Sequence, residues 1–352
     1  DVISQPILEC ISPFKKVYIM KIREFNIFLT FKVIFTALRY FLRREILLEV
    51  LKNNIRNGIL LYAKDAYHAG IINQLNPKTV ISFIDNNPRF GRLSFYFKNI
   101  KFIAIQNGMR LSWATKKKCN HDVYLTFTND QAKILKKSGW QIRENHSIGS
   151  VNAARIFISL KERTVKRNLL IVSSWWSSDL DKDVDCINHY NAMKKMNIFL
   201  NDLIIKKNYV AEIILRTNRK SDDFYSKEAG LNEEEFYRKI YGDNFSIIEN
   251  KTYRKDVYEE ISNSNLSVSL LSTAVLEGHI YGHNCLYLNF FNSNYYHVDF
   301  PKEIVISSKN KLLLDLKIQE KIKDSKKRCE DIFTISKEKA FHTIENFKKI
   351  IN

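Results

Sequence analysis

Twice along this chain, short apolar runs of about five residues alternate with segments of helical periodicity. In the first block the runs are TVISFI (79–84), KFIAI (101–105) and DVYLT (122–126). In the second they are LLIVSS (169–174), AEIILR (211–216), FSIIE (245–249), LSVSLL (266–271) and CLYLNF (285–290). Continuous apolar runs mark strands buried on both faces, which is the signature of a parallel sheet covered by helices. Helices are predicted over 58–75, from Pro88 to about 97, from a cap at Thr128 or Asn129, and over 185–206, 233–241, 254–263 and 274–281. Such alternation predicts right-handed crossovers and an α/β fold. Two blocks predict two doubly wound, Rossmann-like domains facing a cleft. The expected division is a first domain over 1–150, a linker over 151–167, a second domain over 168–308 and basic helices over 309–352. Ligands of such sheets bind beyond the carboxyl ends of the strands, so the polar residues there are the first to weigh.

Length agrees with two domains: the chain has 352 residues. It carries 56 Lys+Arg against 38 Asp+Glu, a net charge of +18 that attracts phosphates, nucleic acid or anionic lipid. The five cysteines, Cys10, Cys119, Cys186, Cys285 and Cys329, show neither metal-ligand spacing nor an even count. They fit a reducing, cytoplasmic setting, with Cys285 a small core residue. The opening DVISQPILEC shows no signal peptide, and the chain begins with Asp1. The most apolar stretch, 27–42, contains Lys32 and Arg39 and is shorter than the ~20 residues that span a bilayer. It is expected to be a core or domain-surface helix. The other reading is an interfacial helix, because Arg39, Arg43 and Arg44 gather at its end.

Several residues at strand ends can carry chemistry. Asp85 closes the first strand and opens the turn Asp85-Asn86-Asn87-Pro88; it reads either as a general base or as a turn and capping residue. Gln106, Asn107 and Gly108 follow the next strand and offer two amides and a close backbone approach, with Arg110 just beyond. The run Lys116 to Lys118 reads as a solvated loop. Ser173, Ser174, Trp175 and Trp176 end the first strand of the second block; the tryptophans read as stacking platforms or as packing. Arg216 is placed to bind a phosphate bidentately, with Asn218, Arg219 and Lys220 after it. Ser272 and Thr273 open a helix whose N-terminus favours a phosphate. Glu277, one turn in, reads as a ribose ligand or as part of a capping box. His279, His283 and His297 have no zinc spacing, and no metal is assigned. There is no Gly-rich phosphate loop, nucleophile elbow or H-E-x-x-H.

The segment TVISFIDNNPRFGRLSFYFKNIKFIAIQNGMR (79–110) resembles bacterial surface-carbohydrate biosynthesis proteins, whose strand ends read "iDN" and "IQNG". LSTAVLEGHIYGHNCLYLN (271–289) resembles the donor segment of GT-B glycosyltransferases, notably users of CMP-sugars such as sialyl- and Kdo-transferases. The resemblance covers roughly 56–290. It implies a GT-B fold and a metal-independent transfer of sugar from a nucleotide sugar, CMP-activated in the nearest pattern, to a growing capsule, lipopolysaccharide or other surface glycan. It implies Asp85 as base and Gln106, Asn107 and Gly108 on the acceptor side, where Asn86 and Arg110 are also expected. Ser173, Ser174, Arg216, Ser272, Thr273 and Glu277 are expected on the donor side. No other cofactor is expected, and the implied place is the inner face of the cytoplasmic membrane. Sialyltransferases of this fold carry a His-Pro pair after the strand that here ends in Arg216-Thr217-Asn218; this chain has none, and Arg216 is expected to take the phosphate role in its place.

Three alternatives stay open at this point. One is a nucleotide-sugar epimerase or polyol-phosphate transferase on the same fold. Another is a non-catalytic scaffold. The last is a nucleic-acid-binding protein, although no recognised motif supports it and no nucleic-acid partner is expected.

Overall fold

The computed structural model describes residues 30–43, 46–48, 55–110, 119–175, 184–216, 224–243, 245–251, 255–291, 301–327 and 329–351. The described residues within 30–107 and 119–147 form one compact unit, and those within 108–110 and 148–350 form another.

In the first unit, α1 (Phe31–Phe41) and α2 (Ile55–Leu75) precede β1 (Thr79–Ser82), α3 (Pro88–Tyr96), β2 (Lys101–Ile105), β3 (Asn120–Thr126), α4 (Asn129–Lys137) and β4 (Gln141–Ser147). The strands are parallel in the order β1-β2-β3-β4. α3 starts as the sequence directs: the Asn87 side chain accepts from Arg89 N, and Pro88 follows in the first turn, where its missing N–H costs nothing. Capping therefore falls to Asn87 and not to Asp85. Thr128 caps α4 through Gln131 N. α3 lies so close to β3 that a Cβ on Gly91 would stand 2.2 Å from Asn120 O, so glycine is required there. Alternate residues of β2 face opposite ways, and Phe102, Ile103, Ala104 and Ile105 are all buried, so both faces of the sheet are covered.

In the second unit the order is α5 (Val151–Ser159), β5 (Arg167–Val172), α6 (Val184–Lys207), β6 (Ala211–Ile214), α7 (Phe224–Tyr241), β7 (Ile247–Ile248), α8 (Lys255–Ser262), β8 (Ser264–Ser269), α9 (Thr273–Ile280), β9 (Cys285–Asn289), β10 (Val305–Ser307), α10 (Lys311–Lys327) and α11 (Cys329–Ile351). Its six parallel strands run β10-β9-β8-β5-β6-β7. Counted from β5 this is the 3-2-1-4-5-6 order of nucleotide-binding sheets, and the winding reverses between β5 and β8. The main core joins Leu169, Ile171, Leu266 and Val268 of the sheet to Met193, Met196 and Leu200 of α6 and to Leu314 and Ile318 of α10. Cys285 is a buried free thiol in β9, as expected of a core residue.

Three elements differ from expectation; one is β10 (Val305–Ser307), which pairs with β9 beyond the last apolar run read as a strand. The residues read as the first half of a linker form α5, capped by Ser150 through Ala153 N, with Val151, Ala154 and Phe157 buried. Arg163, just beyond, donates to Ser262 O and Ser264 O and so neutralises the carbonyl end of α8. β4 was not anticipated, because QIRENHS lacks an apolar run; it is an edge strand with a largely exposed pattern. No helix among the described residues is long and apolar enough to cross a membrane.

Candidate functional site

The reversal in the second sheet brings together the ends of β5, β6 and β8. Leaving β5, the Ser173 hydroxyl donates to Glu233 Oε1 of α7 and accepts from Tyr237 Oη at 2.9 Å and from Trp175 N at 3.2 Å. That hydroxyl is therefore committed to the scaffold, which corrects its donor-binding role. Ser174 differs. Its carbonyl accepts from His189 Nε2 at 2.8 Å, while its Oγ is buried without a hydrogen-bond partner. Because a carbonyl can only accept, the proton of neutral His189 sits on Nε2. An orphaned hydroxyl beyond the carboxyl end of the central strand is the kind of group a ligand oxygen satisfies.

Trp175 packs on Phe236 and Tyr190 in the core and is 4% exposed, so it does not serve as a stacking platform. Trp176, Thr217, Asn218, Arg219, Lys220, Lys116 to Lys118 and His297 lie outside the described residues.

Arg216, past β6, is exposed; its backbone N–H donates to Glu233 Oε1 at 2.8 Å and its Nη1 to Trp175 O at 2.5 Å. Glu233 thus ties Ser173, just after β5, and Arg216, just after β6, to α7. Sequence reasoning missed it: nothing in a run of three glutamates says which one turns inward.

Beyond β8, Ser272 is the N-cap of α9 in extended conformation, yet its hydroxyl makes no capping bond. Its carbonyl accepts from Tyr287 Oη and Val275 N. Thr273 Oγ1 accepts from Met109 N at 3.1 Å. Gly108, Met109 and Arg110 belong to this second unit and lie at the start of α9. A Cβ on Gly108 would meet only Arg110 Nη1 at 3.7 Å and Thr273 Oγ1 at 3.8 Å, so glycine is not needed there for close approach. The first turn of α9 presents backbone N–H groups and the positive end of the helix dipole. Ser174, Arg216 and Ser272 therefore share one sheet edge with a helix N-terminus, an arrangement suited to a phosphate.

Glu277 is not part of it. It is 1% exposed and accepts from Ser150 Oγ at 2.5 Å and from Tyr258 Oη, so it ties α5 and α8 to α9 instead of binding a ribose or closing a capping box.

In the first unit, Asp85 is fully buried and accepts from Tyr124 Oη at 2.6 Å, while Asn86 beside it is exposed. Gln106 is 2% exposed; its Nε2 donates to Gln131 and its Oε1 accepts from Phe127 N. Both ends of that amide hold the β3–α4 turn, which corrects its acceptor-side role. Asn107 is half-buried. His283 is buried against Phe157 and pairs with Ser336, and the half-exposed His279 lies 3.5 Å from Glu303.

No family model matches the chain, and no curated protein matches it. Among solved structures, it is similar to sucrose-phosphate synthase from Thermosynechococcus elongatus at 9% identity and TM-score 0.47, over 84% of this chain and 78% of that one. It is similar to UDP-N-acetylglucosamine 2-epimerase from Rickettsia bellii at 14% identity and TM-score 0.42, over 84% and 79%. The UDP-GlcNAc 2-epimerase of Methanocaldococcus jannaschii, solved with UDP-GlcNAc and UDP, is similar at 14% identity and TM-score 0.39, over 73% and 74%.

Proposed function

We propose that this chain is a nucleotide-sugar enzyme whose second unit binds the donor diphosphate or phosphate at the β5/β8 reversal. The observation that carries this is the orphaned Ser174 hydroxyl at the winding reversal of a nucleotide-binding sheet, beside Arg216 and the α9 N-terminus. Arg216 and the helix N-terminus would stabilise the departing phosphate electrostatically, which is chemistry that needs no proton transfer. Within that class we read it as a glycosyltransferase building a surface glycan, with a CMP-sugar among its candidate donors. The resemblance of 79–110 and 271–289 to such enzymes supports that finer reading.

Thermal stability in the presence of CMP, CDP, UDP, GDP and TDP, with and without Mg²⁺, tests the donor site. A nucleotide at about a hundredfold above its Kd adds about 2.7 kcal/mol, a rise of several degrees in Tm. Arg216→Ala and Ser174→Ala should each reduce that rise. A panel that leaves the melting curve unmoved would remove the donor-site assignment.

Asp85 remains the proposed base. In the structure it exposes no oxygen and holds Tyr124, so this role requires the carboxylate to be uncovered when the acceptor binds. Asp85→Asn keeps an acceptor for Tyr124. It should lower sugar transfer by about a hundredfold or more while leaving nucleotide binding intact. Full transfer by this variant would make Asp85 a purely structural residue. Chromatography of the products separates transfer from epimerisation.

A further inference from the structure

One face of α1 is pinned to α2. Val33 and Tyr40 are each 1% exposed, and Thr36 Oγ1 accepts from Asn73 Nδ2 at 2.7 Å. The crossing is so close that a Cβ on Gly70 would lie 2.6 Å from Val33 O. With the inner face fixed, the opposite face is fixed too, and it is apolar. Phe31 is 87% exposed, Phe35 60%, Leu38 56% and Leu42 66%, with Ile34 beside them. Their spacing of i, i+4, i+7 and i+11 draws one continuous stripe. Water does not favour such a stripe, and one this contiguous marks an interaction surface.

Charge identifies the partner. Lys32 and Arg39 are exposed and Arg43 is half-buried over the Tyr96 ring. At about 100° per residue they fall on a single flank, roughly 70–110° from the centre of the stripe. No acidic residue occurs between Phe31 and Arg43. Two copies joined antiparallel through this stripe would bring cations against cations. An anionic bilayer offers both what the stripe lacks, hydrocarbon for the apolar centre and phosphate for the basic flank. Eleven residues of helix are about 16 Å long, half of what spanning requires, so the helix lies in the interface.

We propose that α1 docks the protein on anionic lipid surfaces by laying Phe31, Phe35, Leu38 and Leu42 among the acyl chains, with Lys32 and Arg39 at the headgroups. The idea stands independently of the nucleotide site.

Co-sedimentation with phosphatidylglycerol or phosphatidylcholine vesicles tests it. The full chain should pellet with the first, weakly with the second, and less with added salt. Phe35→Ser with Leu38→Ser, both exposed positions, should leave circular dichroism and Tm unchanged and weaken vesicle binding at least ~10-fold. Lys32→Glu with Arg39→Glu should also weaken it. Binding by the serine variant equal to that of the wild type would overturn the proposal, as would wild-type protein that ignores both vesicles or does not distinguish them. A concentration-dependent dimer that the serine variant loses, without vesicle binding, would assign the stripe to a second copy and likewise overturn it.

Discussion

Lowering the pH from 7 to 5 should cost the folded chain about 6 kcal/mol, about 4 of it in the second unit, a large share of what one domain has to lose. Three buried imidazoles account for this. Burial, with help from Arg89 and Lys64, pushes His68 down to about 4. Burial outweighs the bond to Ser174 O and, with Arg216, holds His189 at about 4. Burial, followed by Arg163 and Lys339, pushes His283 to about 3. In the unfolded chain each takes a proton near its ordinary value of about 6.5. Folded pKa values below the unfolded one mean that the unfolded state binds protons first as pH falls. The stability is therefore whole above about pH 6.5 and drains away below it, by about 2 kcal/mol per histidine at pH 5. His68 lies in the first unit and the other two in the second, so the second unit should be the more acid-sensitive. Thermal melts from pH 7 to 5 check this, and His68→Gln should flatten the slope for the first unit alone. A Tm that stays level over that range would refute the neutral burial of these rings.

Asp65→Ala should destabilise the first unit by about 3 kcal/mol or more. Asp65 is fully buried on α2 and takes Arg89 Nε at 2.6 Å on one oxygen and Arg92 Nε at 2.6 Å on the other. Arg92 also lies over the Tyr62 ring, 5.0 Å from its centroid. Removing the carboxylate strands two guanidinium groups that are only 14% and 24% exposed, and their own repulsion then acts in a poorly solvated space. Lys133–Asp130 makes a useful contrast: that pair, at 3.1 Å, is 70% and 66% exposed, so breaking it should cost under about 1 kcal/mol. Urea unfolding of Asp65→Ala and Asp130→Ala measures both. Equal midpoints for the two would show that burial adds nothing to the Asp65 cluster.

The strands were legible because parallel sheets need uninterrupted apolar runs, and LLIV and CLYL cannot be much else. β4 was hidden for the complementary reason: an edge strand has one solvated flank, and QIRENHS reads as loop. α5 did announce itself, with Ser150 as cap and Val151, Ala154 and Phe157 at helical spacing, but it sat where a linker was expected. At the strand ends, sequence position named the loops but not which way each side chain turns. Ser173 and Ser174 are adjacent and alike, yet one hydroxyl is consumed by Glu233 and the other is left without a partner. Gln106 and Glu277 follow motifs that suggest ligands, and both turn inward to Phe127 N and Tyr258 Oη. Which way a side chain turns depends on partners tens of residues away, and no local pattern encodes that.

The double grip of Glu233 on the Ser173 hydroxyl and the Arg216 backbone has a kinetic and evolutionary corollary. Ser173 and the Arg216 backbone are fixed when the chain folds, so at the proposed anion site these two positions leave little ordering entropy to lose at encounter. Under the proposed function, affinity there would be retuned from α7 by loosening or tightening a single carboxylate, that of Glu233.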